Sequence, residues 1–151
     1  MQTEQQTNTI NILIRTFVFP QDYPAVYQLW ENAGNGIHLR HSDKPQEIKK
    51  KIERDPDLFI LAELEEQIIG SVLGGFDGRR GMMYHLAVAE EYRQQGIASH
   101  LLEELEQRLR TKGCTRYYLL VTKNNQSAIH YYEKRGWQHM EDLFAYAKNL
   151  N

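Results

Sequence analysis

The sequence predicts a mixed α/β domain, and three observations carry that expectation. Short β-rich runs and amphipathic helical stretches alternate in the order β-α-α-β-β-β-α-β-α-β-(β). The central strand-like runs are joined by turn-length connections, which implies antiparallel pairing. No internal repeat, low-complexity tract or linker interrupts the 151 residues, so residues 10–151 read as one domain behind a polar tail at residues 1–9.

Taken in order, the run "INILIRTFV" at residues 10–18 is β-rich and partly alternating. "PQDYPAVYQLWENAG" follows as a short helix, with Asp22 as its N-cap and Pro24 in its first turn. The polar, glycine-bearing "GNGIHLRHSDKP" is a loop, after which Ser42 or Asp43 is placed to cap the charged helix "PQEIKKKIER" that Pro56 closes. "LFILAEL" and "IIGSVLGGF", separated by "EEQ", form a hairpin, and the turn "DGRRG" leads to a third run, "MMYHLAV". The long helix after it places Ile97, Leu101, Leu102, Leu105 and Leu109 at helical spacing as a core-facing stripe and stops at Gly113. A strand "TRYYLLVT", a turn "KNNQ", a helix "SAIHYYEKR" ended by Gly136, and a last apolar pair of runs from Trp137 to Leu150 complete the chain.

Bulk properties narrow the function. A hydrophobic content of 41% with 25% charged residues is ordinary for a globular domain with a core. The formal net charge of -2 gives no basic excess, which disfavours a nucleic acid partner. Cys114, the one cysteine, has no companion for a disulfide or a zinc site, so a cytoplasmic protein without a metal is expected. The N-terminal "MQTEQQTNT" is not a secretory signal, and no apolar run approaches the roughly 20 residues that span a bilayer.

Chemistry enters at "EEYRQQGIASHLL". A strand ending in Leu86-Ala87-Val88, a short connection, and Arg93-Gln94-Gln95-Gly96-Ile97-Ala98 opening a helix make an anion site. The N–H groups of a first helical turn have no intrahelical acceptors and the helix dipole adds partial positive charge. Gly96 permits close backbone approach, Ala98 keeps the next contact small, and Arg93 adds a charge-assisted bond. On the loop alone, an ordinary capped helix start fits equally well. Neither the P-loop string nor the three-glycine dinucleotide fingerprint is present.

Together with "LLVTKNNQSAIHYYEKRGW", this loop resembles the GNAT superfamily of acetyl-CoA-dependent N-acetyltransferases, particularly its small stand-alone bacterial members. Arg93, Gly96 and Ala98 fall on the family's Arg/Gln-x-x-Gly-x-Gly/Ala loop. Val121, Asn125, Ala128, Tyr132, Glu133, Gly136 and Trp137 fall on its downstream pattern. The resemblance covers nearly everything after residue 10. It implies a central, mostly antiparallel twisted sheet of six to seven strands, splayed at the CoA site, with about four helices on its faces.

The resemblance also implies site residues. Leu86, Ala87 and Val88 would border the pantetheine arm, with the backbone of Leu86 and Val88 pairing with it. The N–H groups around Gln94, Gln95, Gly96, Ile97, Ala98 and Ser99 would receive the pyrophosphate, with Arg93 assisting. Asn125 matches an asparagine that contacts the arm and braces the turn, although a plain helix cap is its simpler reading. Tyr132 matches the tyrosine that protonates the departing thiolate. At reference values near 10 and 8.5 this transfer costs about 2 kcal/mol in water.

The implied reaction moves acetyl from acetyl-CoA to a primary amine, of a small molecule, a protein lysine or an N-terminus, by direct attack in a ternary complex. Cys114 lies away from both motifs. One departure matters: Leu120 stands where some members carry a glutamate base. Tyr84, His85, Glu63, His38, His41 and a water chain all remain open as the base. The demand on it depends on the acceptor, since deprotonating a lysine-like amine at neutral pH costs roughly 4.6 kcal/mol and an α-amine about 1 kcal/mol. Arg40, His38 and His41, with "EDLFAY", would border the acceptor pocket. A rival reading is a CoA-binding regulatory module with weak or no catalysis. Monomer and homodimer are both left open.

Overall fold

The computed structural model describes residues 11–151; the tail expected at residues 1–9, and residue 10, lie outside them. The described chain divides into two compact units, one ending at Leu120 and the other running from Val121 to Asn151.

The first unit is built on a five-stranded sheet in the order β1-β2-β3-β4-β5. Its strands are β1 (Leu13–Thr16), β2 (Phe59–Leu64), β3 (Gln67–Phe76), β4 (Gly81–Val88) and β5 (Tyr117–Leu119). The first four pair antiparallel and β5 joins β4 in parallel. Three helices belong to this unit: α1 (Tyr23–Glu31), α2 (Pro45–Arg54) and α3 (Ile97–Thr111). The second unit carries α4 (Gln126–Lys134).

The class expected from sequence is therefore present, but the strand count is corrected. Five strands occur among the described residues, against the six to seven expected. The runs between Trp137 and Leu150 form no strand, and β5 keeps only three residues of "TRYYLLVT". Apolar alternation records a side-chain preference, whereas a strand also needs a neighbour to receive its backbone bonds.

Residues on β2 alternate between two buried faces. Phe59 and Leu61 join Phe17, Val26, Leu29, Trp30 and Ile48 in the core beneath α1 and α2. Phe59 is stacked between two rings, with centroids 4.2 Å from Phe17 and 5.8 Å from Trp30. The opposite face receives α3, whose Ile97, Leu101, Leu102, Leu105 and Leu109 are all buried. Each such side chain contributes about 1.5–3 kcal/mol relative to exposure. The helix comes this close because β3 presents glycine to it. A Cβ on Gly70 would stand 3.1 Å from Leu101 Cδ1, and one on Gly74 would overlap Leu105 Cδ1.

Two expected caps have other work. Asp22 precedes α1 but makes no side-chain cap bond; its carboxylate takes both Arg15 guanidinium nitrogens, at 2.7 and 2.9 Å, and the Val18 N–H. Lys44, not Ser42 or Asp43, precedes α2, and Asp43 closes a short 3-10 turn at His41–Asp43. Both carboxylates are engaged elsewhere, Asp22 by the Arg15 guanidinium and the Val18 N–H, Asp43 by His85 and the Arg40 N–H.

Candidate active site

Along β4 the register slips between Leu73↔Tyr84 and Ser71↔Ala87, so His85 and Leu86 together oppose Val72. This is a β-bulge, and His85 takes a positive φ of 46° to form it. Beyond the bulge Ala89 N–H donates to Ile69 O. Antiparallel alternation then turns the backbone groups of Leu86 and Val88 toward the other edge. On that edge β5 pairs only with Gly81, Met82 and Met83. Among the described residues, the edge at Leu86 and Val88 has no strand beside it, while the Ala87 side chain is buried in the core.

The β4–α3 connection is strained. Gln94 and Gly96 have φ of 62° and 82°, a region glycine enters freely and glutamine at a cost of about 1–2 kcal/mol. Such outliers cluster at ligand sites. Gly96 is the N-cap of α3, whose first turn holds no acidic residue and no side-chain cap bond. The first helical bond runs from His100 N–H to Gly96 O. The N–H groups of Ile97, Ala98 and Ser99 therefore precede the intrahelical ladder. Arg93 Nε donates to Val88 O at 3.1 Å, tying the loop to the strand, and Gln95 reaches Glu91 O at 3.4 Å. A Cβ on Gly96 would meet nothing within 4 Å.

Among the base candidates, Glu63 is paired with Arg15 at 3.2 Å. Arg40, His38 and His41 lie on an exposed stretch, with His41 Nε2 3.8 Å from Glu47. Tyr84 is 44% exposed, and burial of the remainder raises its phenol. His85 differs from all of these. Its Nε2 stands 2.7 Å from Oδ1 of Asp43, a carboxylate whose residue is 4% exposed. The other oxygen of Asp43 accepts the Arg40 N–H at 2.9 Å, and Tyr23 Oη donates to the Asp43 carbonyl. Trp30 meets the imidazole edge-on at 4.8 Å. Sequence reading named His85 but missed Asp43 as its partner, because the two are 42 residues apart.

A cleft of about 760 Å³ is lined by Arg15, Gln28, Glu63, Ile68 and Val88 among others. None of His38, Arg40 or His41 lines it.

In the second unit, Asn125 is the N-cap of α4, its Oδ1 accepting from Ala128 N–H at 3.3 Å. Tyr132 meets the rings of Tyr131 and Trp137 edge-on, with centroids at 5.6 and 5.8 Å. Trp137 N–H donates to Tyr132 O after the turn at Gly136, whose φ is 93°. Burial, with Tyr131 adding to it, pushes the Tyr132 phenol up to about 12. It is fully protonated at neutral pH. Cys114, in the first unit, is buried with its Sγ toward Arg116 O at 3.3 Å, a poor setting for a nucleophile.

A bulged strand whose edge at Leu86 and Val88 has no strand beside it among the described residues thus runs into a glycine-capped helix start. The chain belongs to the acetyltransferase (GNAT) family, whose model matches residues 23–137. It is 41% identical over 118 residues to an acetyltransferase of Pectobacterium atrosepticum, covering 78% of this chain and 82% of that one. It is 36% identical over 129 residues to an acetyltransferase of Sodalis glossinidius, covering 85% and 89%. The protein is accordingly an acyltransferase. In fold it is similar to the PaiA N-acetyltransferase of Thermoplasma acidophilum, solved with coenzyme A, at a TM-score of 0.74 and 20% identity over 85% of this chain and 90% of that one.

No helix among the described residues is long and apolar enough to cross a membrane, and no cluster of His, Cys, Asp and Glu there has the makings of a metal site.

Proposed function

We propose that this acyltransferase uses acetyl-CoA as donor and a primary amine as acceptor, with direct attack of the amine nitrogen on the thioester carbonyl. The observation that carries the reading is the open edge of β4 running into the Gly96 cap of α3. A pyrophosphate on the N–H groups from Gln94 to Ser99 would lead the pantetheine arm back along β4, past Val88 toward Leu86. Arg93, already bound to Val88 O, needs only to swing its guanidinium to add charge. Asn125 would serve the arm while capping α4. The buried Cys114 supports direct attack over an acyl-cysteine intermediate and fits a reducing, cytoplasmic setting.

In this reading Tyr132 gives its proton to the departing thiolate. A phenol at about 12 against a thiol that keeps its reference value near 8.5 implies a mismatch of about 5 kcal/mol. Burial of the nascent thiolate raises its basicity by the same desolvation and narrows that gap. The test is Tyr132→Phe, which keeps the ring and removes the proton. A fall in kcat of about 100-fold or more with unchanged CoA affinity is expected of a general acid. Unchanged kcat would remove Tyr132 from the mechanism.

A further inference from the structure

We propose that His85 is the general base of the transfer and that Asp43 is its positioning residue. The inference rests on the acetyl-transfer reading above and supplies the proton acceptor that reading lacks. Asp43, buried and already holding the Arg40 N–H on Oδ2, presents Oδ1 to His85 Nε2 at 2.7 Å. A carboxylate accepts only, so Nε2 carries the hydrogen and the lone pair of the neutral ring is on Nδ1. Among the described residues Nδ1 has no partner, and the side chain is 19% exposed, enough to reach an acceptor or one water. Trp30, edge-on at 4.8 Å and anchored by its own bond to Ser71 Oγ, keeps the ring from turning.

Placement along the strand supplies the second argument. With the pyrophosphate at the start of α3, the arm runs against the direction of β4, meeting Val88 first and Leu86 later. Its thioester end therefore arrives at the bulge, and the bulge residue is His85. A regular strand would direct residue 85 by simple alternation; the positive φ instead turns this ring to the Asp43 side.

The step balances. The amine nitrogen forms a bond to the thioester carbonyl carbon, its proton passes to His85 Nδ1 directly or through one water, and the C–S bond breaks. The thiolate takes a proton from Tyr132, the imidazolium gives its proton to solvent, and the tyrosinate takes one back from solvent. Asp43 is the titratable group in contact with the ring. Tyr23 touches the pair only through the Asp43 carbonyl, and Tyr84 neighbours it on β4.

The experiment is steady-state acetyl-CoA turnover over an amine panel with wild type, His85→Gln and Asp43→Asn. Glutamine keeps an N–H for Asp43 but has no basic nitrogen. The expected result is a loss of about 100-fold or more in kcat for His85→Gln, with melting temperature and CoA affinity close to wild type. The kcat/KM profile of wild type should fall in acid more steeply than titration of the acceptor amine explains. In His85→Gln it should follow the acceptor alone, and in Asp43→Asn the extra limb should be displaced, a response that loss of packing would not give. An active wild type with His85→Gln within threefold of it would overturn the role of His85 and leave the transfer reading standing. A wild type that turns over no amine would overturn both. Should the glutamine variant not fold, an unmoved profile in Asp43→Asn overturns the proposal equally.

Discussion

Trp30 Nε1 donates to Ser71 Oγ at 3.1 Å, joining α1 to β3 where the two residues are 1% and 0% exposed. Ser71→Ala would leave a buried indole N–H without an acceptor, a loss of about 1–3 kcal/mol. Urea unfolding should show this as a lower midpoint with unchanged slope. A midpoint equal to wild type would mean that the indole finds another acceptor.

Arg15 and Asp22 give a pH-dependent prediction. The two guanidinium bonds, followed by the Val18 N–H, hold the Asp22 carboxyl below the usual carboxylate range. A depressed folded value means that the contribution is present above the unfolded pKa and is lost as pH falls through the folded one. Asp22→Asn should therefore cost about 1–3 kcal/mol at neutral pH, and the gap to wild type should close in acid. Denaturant unfolding at several pH values checks this, and a gap that persists at low pH would contradict it.

The capping glycine can be tested against a control with similar strain. Gly96 and Gly34 have φ of 82° and 73°, and a Cβ on either meets nothing within 4 Å. Alanine at each should lower stability by about 1–2 kcal/mol. Only Gly96→Ala should also weaken CoA binding, by about tenfold or more, because its methyl enters the space assigned to the pyrophosphate. Calorimetry with CoA decides; equal affinity in the two variants would remove the loop from the binding site.

Gly74 makes a packing prediction. A larger side chain there meets Leu105 of α3, so Gly74→Val should destabilise by about 1–3 kcal/mol through overpacking. Gly74→Val combined with Leu105→Ala should recover part of the loss, as a double-mutant cycle in thermal unfolding would show. Simple additivity would argue that the strand, not the helix contact, is the source.

How much of this was legible in the sequence depended on what each feature needs. The α3 stripe and the β2–β3 and β3–β4 hairpins were readable because local periodicity and turn length determine them. The loop from Arg93 to Ser99 was readable because a glycine before an amphipathic helix has few local solutions. Runs 137–150 were not, since pairing depends on a neighbour that alternation does not name. Asp43 was misread as a helix cap because "HSDKP" fits one locally, while the competing partner, His85, is brought in only by the packing of the 3-10 turn on β4. The β4 bulge was invisible for the same reason: nothing in "MMYHLAV" marks where the register slips.

In the proposed reaction the open β4 edge serves transfer of acetyl from acetyl-CoA to an amine. The most direct measurement is release of free CoA thiol from acetyl-CoA by the wild-type protein, with and without each member of a panel of primary amines. Thiol release should depend on the amine and be matched mole for mole by acetylated acceptor. Tight CoA binding with no amine-dependent thiol release across the panel would contradict it.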